Sequence, residues 1–292
     1  MAVITSDLVQ KLRTTTGAGM MDCKRALASA NGDFDKAIKT LREQGAATAA
    51  KRAGRATGDG LITTVQSASG KSAVLIELNC ETDFVARTPD FQNLLKDVAR
   101  ELAEAPAAWQ TIEQTPESKI KEIAVKLGEN IALRPGRFKR FDKQGTSLFS
   151  TYIHPTGDMG KVGVLLELGA DKPEALASED AKVLARDLAM QVAATNPRWV
   201  AKEDVPASII EQEQAIAREQ AKRENKPEKI WDKISQGKVQ QFHQQFCLLE
   251  QPFVKDTAGK TLVSQLVGQV SQKIGAALKP LRFVRFKVGE EE

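Results

Sequence analysis

No two cysteines of this chain stand at a Cys-x-x-Cys spacing: Cys23, Cys80 and Cys247 are the only three, and they lie far apart. Such a distribution offers neither a zinc-ligand set nor a disulfide framework, and it suits a reducing cytoplasm. Histidine is scarcer still, with only His154 and His243, which leaves few groups for general acid–base work at neutral pH. No apolar run approaches the roughly twenty residues needed to cross a bilayer. The opening Met-Ala-Val-Ile-Thr-Ser-Asp has neither the basic flank nor the apolar core of a signal peptide. A GxxxxGK[ST] phosphate loop, an HExxH helix and a GxSxG elbow are all missing. Gly17 and Gly19 supply part of a dinucleotide fingerprint, but no strand-like segment precedes them, so they read as a helix–helix turn. These absences predict a cytoplasmic protein that is not an enzyme, with no catalytic residue, no metal site, no cofactor and no membrane partner.

What is present is an ordinary globular composition of 292 residues, 41% hydrophobic and 27% charged, long enough for about two domains. The 42 basic and 38 acidic residues are well mixed and leave a net charge of +4, a weak electrostatic case for a nucleic-acid partner.

The most informative feature is a repeat. Gly70-Lys-Ser-Ala-Val-Leu-Ile-Glu-Leu-Asn79 matches Gly160-Lys-Val-Gly-Val-Leu-Leu-Glu-Leu-Gly169, ninety positions later, and the same offset pairs Trp109 with Trp199. After the first copy comes Cys80-Glu-Thr-Asp-Phe-Val-Ala86; the second reads Ala170-Asp-Lys-Pro-Glu-Ala-Leu176. A duplicated scaffold is implied, and Thr82, Asp83, Phe84 and Val85 belong to one copy only.

Periodicity and cap signals divide the chain further. Residues 1–45 predict a three-helix bundle with breaks at Thr16–Gly19 and Asn31-Gly32. Residues 46–60, with Lys51, Arg52 and Arg55 and no large apolar side chain, read as a basic linker, helical at most at its start. Each repeat then predicts a β-hairpin followed by a helix: a core N-subdomain over 61–143 and a core C-subdomain over 144–204 and 247–292. Hairpin-then-helix units give an α+β fold with antiparallel sheets covered by helices on one face. Residues 205–246 carry a thin apolar stripe, including Ile216 and Phe242, broken at Asn225-Lys-Pro227. They read as a protruding antiparallel helical hairpin inserted into the C-subdomain. A homodimer through this coiled coil is a partner left open.

Candidate binding residues follow from position. Thr82–Val85 lies between a strand end and a helix start, where rigid scaffolds commonly carry binding groups. Phe84 beside Asp83 has the composition of an interface anchor with a charged neighbour. By residue type alone a phenylalanine is more often buried, plugging strand against helix while Asp83 caps a turn; the missing counterpart in the second copy argues the other way. Met20 and Met21 are adjacent on one helix and cannot easily both face a small core; an exposed one suits an adaptable contact surface, and the blander reading is one buried methionine with the other incidental. His154, near a strand end, reads as a surface or structural residue. The basic run Arg134, Arg137, Lys139, Arg140 and Lys143, interleaved with Phe138 and Phe141, has the composition that stacks on RNA. A solvated edge strand is its blander reading.

Together these segments resemble the bacterial elongation factor Ts family. The resemblance rests on Thr16-Gly-Ala-Gly-Met-Met-Asp-Cys-Lys24, Asn79-Cys-Glu-Thr-Asp-Phe-Val-Ala86 and Gly128-Glu-Asn-Ile131. It continues through Ala189-Met-Gln-Val-Ala-Ala194 with Pro197, Gln251-Pro-Phe-Val254 and Arg282-Phe-Val-Arg-Phe286. These runs occur in order along nearly the whole chain, and Glu81 stands where the family pattern commonly has Gln. The resemblance implies a ubiquitin-associated-like N-terminal bundle, two related α+β subdomains and a protruding coiled coil. It implies guanine-nucleotide exchange on the GTPase elongation factor Tu, with Thr82–Val85 dislodging its magnesium ion. Arg13, Met20, Met21 and Lys24 would then contact the nucleotide-binding domain and His154 a different domain of that GTPase. The alternative is an RNA- or ribosome-associated module using the basic linker and the 134–143 cluster.

Overall fold

The computed structural model describes residues 4–16, 18–52, 54–105, 117–155 and 157–290. It separates into two compact units: Met1–Leu61, Glu77–Phe138 and Val288–Glu292 in the first, Ile62–Ile76 and Lys139–Lys287 in the second.

The first unit begins with helices α1 (Ser6–Thr16), α2 (Met20–Ser29) and α3 (Phe34–Arg52). Thr5 Oγ1 accepts from the Leu8 N–H at 3.3 Å and Asp33 Oδ1 from the Lys36 N–H at 3.0 Å, so two of the three starts are capped by side chains of the expected kind. The core between them is small: Val9, Leu12, Cys23, Ala26, Leu27, Ala37 and Leu41. Helix α3 runs on to Arg52, through the first half of the segment read as a linker.

Strands β1 (Asp59–Gln66) and β2 (Ser72–Cys80) follow, then the single turn α4 (Asp83–Ala86), α5 (Pro89–Glu104), α6 (Glu117–Leu127) and β3 (Ile131–Ala132). β2 is buried along its whole length, as expected of a near-continuous apolar run. In the first unit its end pairs antiparallel with β3, Asn79 opposite Ala132 and Cys80 opposite Ile131. Thr88 caps α5 by accepting from the Phe91 N–H, and Phe91, Leu94, Leu95, Val98 and Leu102 form its buried face, spaced as one stripe of an amphipathic helix. Gly60 sits at φ +149°, where an added Cβ would meet the Leu78 carbonyl oxygen at 2.2 Å. Only glycine fits there.

The second unit continues with β4 (Phe138–Asp142), β5 (Ser147–His154), β6 (Met159–Gly160), β7 (Val162–Ala170), α7 (Glu179–Thr195), α8 (Ala207–Arg223), α9 (Trp231–Phe246), α10 (Val263–Ile274) and β8 (Leu278–Lys287). β5, β7 and β8 form a three-stranded antiparallel sheet in that order, so the final strand lies beside the hairpin of the second copy. Val164, Leu166 and Leu168 of β7 pack against Ala181, Leu184, Ala185, Leu188 and Val192 of α7 and Val263 and Val267 of α10. Residues of one parity on the strand meet the i, i+3, i+4 face of the helices. Val183 is exposed, because it sits one position before the buried 184/188/192 row. Ile62 and Thr63 of β1 pair with Gly160 and Met159 of β6. Gly163 lets β7 approach closely: a Cβ there would meet Ile62 Cγ2 at 2.4 Å and Leu75 Cδ1 at 2.9 Å.

α8 and α9 are the two arms of the predicted hairpin. Their buried residues are Ala217 and Ala221 on one arm and Ser235 and Phe242 on the other, while Ile216, expected in the seam, is 50% exposed. Small side chains at an i, i+4 spacing allow the helices to approach closely, and Ile216 falls beside that row. At the base, Val205, Phe242 and Cys247 cluster with Trp199, Ile209, Ile210 and Phe246. Trp109, the partner of Trp199 in the repeat, lies outside the described residues.

Candidate binding surface

Thr82–Val85 occupies one turn of helix at the end of β2. Thr82 is its N-cap, with Oγ1 accepting from the Val85 N–H at 3.4 Å. Val85 and Ala86 are buried and hold the turn to the body. Asp83 pairs with Arg87 at 2.9 Å, one helical turn on, so it braces the outer face. Phe84 between them is 79% exposed. A large aromatic left in water forgoes its full burial free energy, about 2–3 kcal/mol; the plug reading of Phe84 is therefore wrong, and Val85 supplies the packing instead.

The turn is fastened from behind. Glu129, just after α6, accepts from the Glu81 N–H at 3.1 Å, the Thr82 N–H at 3.0 Å and the Thr82 hydroxyl at 2.6 Å. Glu81 in return accepts from the Asn130 N–H at 2.7 Å and lies 3.4 Å from Arg55. The Asn130 N–H, followed by the Arg55 guanidinium, holds the Glu81 carboxyl below its ordinary pKa. Arg55 is thus tied into the fold rather than free in a linker, and its carbonyl also accepts from Asn130 Nδ2 at 2.9 Å.

On α2, Cys23, Ala26 and Leu27 fill the bundle core, and both methionines face outward, Met20 at 50% and Met21 at 63% exposure. The blander reading of one buried methionine fails because Cys23 already takes the core position one turn in. Arg13 and Lys24 are exposed in the same bundle. In the second unit His154 is exposed at the end of β5, its ring stacked on Tyr152 at 6.3 Å with Nδ1 3.3 Å from the Tyr152 hydroxyl.

The basic 134–143 segment is not the solvated strand expected. Arg134 and Arg137 lie 3.0 and 3.5 Å from the wholly buried Glu77 carboxylate. Arg140 pairs with Asp142 at 2.9 Å, and the Phe141 ring is covered by the Arg282 guanidinium at 4.2 Å. Lys139 and Lys143 alone of its cations are exposed. A stacking platform needs free rings and free cations together, and this segment spends most of both internally.

Two sets of residues were missed by reading the sequence. Glu77 and Glu167 are equivalent in the repeat, and both are wholly buried. A carboxylate at the same place in two apolar strands signals a buried ion pair, but nothing local names its arginines. Glu129 is the other omission; only the fold brings it to Thr82. Among the described residues no group of three or more His, Cys, Asp and Glu side chains is placed to hold a metal ion. Nor is any helix among the described residues long and apolar enough to cross a membrane.

The α+β scaffold thus presents an aromatic on a braced turn and two exposed methionines on a small bundle. The sequence profile of the family described as Elongation factor TS matches residues 81–290. Elongation factor Ts of Symbiobacterium thermophilum is 44% identical over 291 residues, covering 99% of this chain and 93% of the relative. That of Nitratidesulfovibrio vulgaris is 41% identical, covering 99% and 96%; that of Desulfovibrio desulfuricans is 39% identical over the whole of both chains. The chain belongs to the bacterial elongation factor Ts family, and its role is in translation elongation.

Proposed function

We propose that this protein is a guanine-nucleotide exchange factor that binds the GTPase elongation factor Tu and promotes GDP release, acting in the cytoplasm without covalent catalysis. The observation that carries this reading is the exposure of Phe84 on a turn fastened on both sides. An aromatic held outward at that cost in burial suits insertion into a partner.

Magnesium and phosphate-loop contacts hold GDP in such GTPases. Wedging Phe84 beside that site, with Thr82, Asp83 and Val85 shaping the turn, would displace those contacts and release magnesium. Linkage makes the coupling reciprocal: a partner that prefers the empty GTPase must weaken GDP by the same factor. Arg13, Met20, Met21 and Lys24 supply a second contact, with methionines adapting to the facing surface, and His154 a third from the other unit. The test is release of fluorescent GDP from elongation factor Tu with and without this protein. Acceleration supports the reading, and an unchanged release rate rejects it.

A further inference from the structure

Phe84 has almost nothing packed against it, so its direction is set by the backbone of the turn that bears it. That backbone starts at Glu81 and Thr82, and Glu129 holds both through three hydrogen bonds of 2.6 to 3.1 Å. The Glu81 carboxylate returns the connection to the Asn130 N–H at 2.7 Å. The two carboxylates therefore cross-link two turns that lie 48 residues apart in the chain. Thr82 Oγ1 is at once donor to Glu129 and acceptor from Val85, so one hydroxyl joins the clamp to the helical turn itself. A wedge works only if its base does not yield when it meets the partner. Charge-assisted bonds to successive N–H groups are the stiffest polar restraint available to a surface turn.

We infer that Glu129 is a positioning residue for nucleotide exchange: it touches neither partner nor nucleotide, and fixes the angle at which Phe84 is presented. This rests on the exchange reading above. Its consequence is specific. Loss of Glu129 should spare docking, which the bundle and the second unit supply, and should impair the step that docking leads to.

The experiment measures GDP release from elongation factor Tu against concentration of this protein, for wild type, Glu129→Ala, Glu129→Gln, Phe84→Ala and the Glu129→Ala/Phe84→Ala pair. Misplacing a working group by about an ångström costs one to two orders of magnitude. Glu129→Ala is therefore expected to lower the maximal release rate about tenfold, with the half-saturating concentration unchanged. Glu129→Gln, which keeps an acceptor oxygen of the same shape, should recover part of the rate. In the double variant, loss of Glu129 should cost nothing beyond Phe84→Ala, because there is no wedge left to aim. Additive losses, or a raised half-saturating concentration at an unchanged maximal rate, overturn the inference. If Glu129→Ala does not unfold cooperatively, Glu129→Gln alone and paired with Phe84→Ala decides by the same criteria. A wild-type protein that leaves GDP release unchanged rejects the exchange reading and this inference with it. Wild-type rates in both Glu129 variants, with an active wild type, reject the positioning role alone.

Discussion

Glu167 and Arg282 face each other across β7 and β8, and their side chains meet at 2.7 Å. The carboxylate is wholly buried, and its other oxygen accepts from the Gln144 N–H at 2.7 Å and the Ser147 hydroxyl at 2.5 Å. The guanidinium also covers Phe141 and donates to the Asp142 carbonyl. One arginine thus neutralises the buried charge, joins two strands and closes the end of β4.

Removing that arginine leaves a buried carboxylate with neutral donors only. Arg282→Met is expected to destabilise the protein by about 3 kcal/mol, the order found when one partner of a buried pair is deleted. Urea unfolding checks it. A change within about 0.5 kcal/mol, the usual range for surface substitutions, would show that Ser147 and Gln144 suffice.

Phe84→Ala separates function from stability. The side chain is 79% exposed, so the unfolding free energy should change by no more than about 0.5 kcal/mol. Stimulated GDP release should fall by about tenfold or more, as for a hot-spot aromatic. Unfolding of the variant would instead assign Phe84 a structural role.

Gly60→Ala tests the closeness of β1 to β2 in the first unit. The new methyl would meet the Leu78 carbonyl oxygen at 2.2 Å and Asn79 Cα at 2.9 Å, at a φ of +149°. Both obstacles are backbone, so no side chain can swing aside. A loss of about 1–3 kcal/mol is expected, read as a lowered melting temperature; a wild-type melt would mean that the strand shifts freely.

Cys247 predicts an alkaline limb. Burial, then the Glu250, Asp204 and Glu203 charges, push its thiol from 9.0 up to about 11. The unfolded chain therefore releases this proton first, and the stability it contributes is present below pH 9 and lost as pH rises towards 11. Between pH 8.5 and 10.5 wild type should lose stability more steeply than Cys247→Ala. Equal slopes would contradict the assignment. A thiol held neutral in this way should also react slowly with disulfide reagents at pH 8 in the native state.

The bundle, both hairpin–helix copies and the helical pair were legible because each is encoded locally. Thr88 and Ser178 cap the helices they precede, and the apolar stripe of α5 is buried as its spacing predicts. The candidate turn stood out through a different signal, the absence of Thr82–Val85 from the second copy. Where reading failed, the deciding partner was remote or side-chain volume intervened. Ile216 lost its place in the hairpin seam to Ala217 and Ala221. The basic 134–143 run turned inward because Glu77 is buried beside it.

By itself the sequence determined the bundle helices, the two hairpin–helix units and the helical pair, the repeat that relates the two units, and which copy bears the additional turn. Caps and periodicity act over a few residues, and the repeat shows when the chain is aligned with itself. Tertiary structure alone decided that Phe84 and both methionines face water, that Glu77 meets Arg134 and Arg137 and Glu167 meets Arg282, and that Glu129 holds Thr82. Burial and charge pairing depend on what long-range packing leaves uncovered, and no window of sequence contains that information.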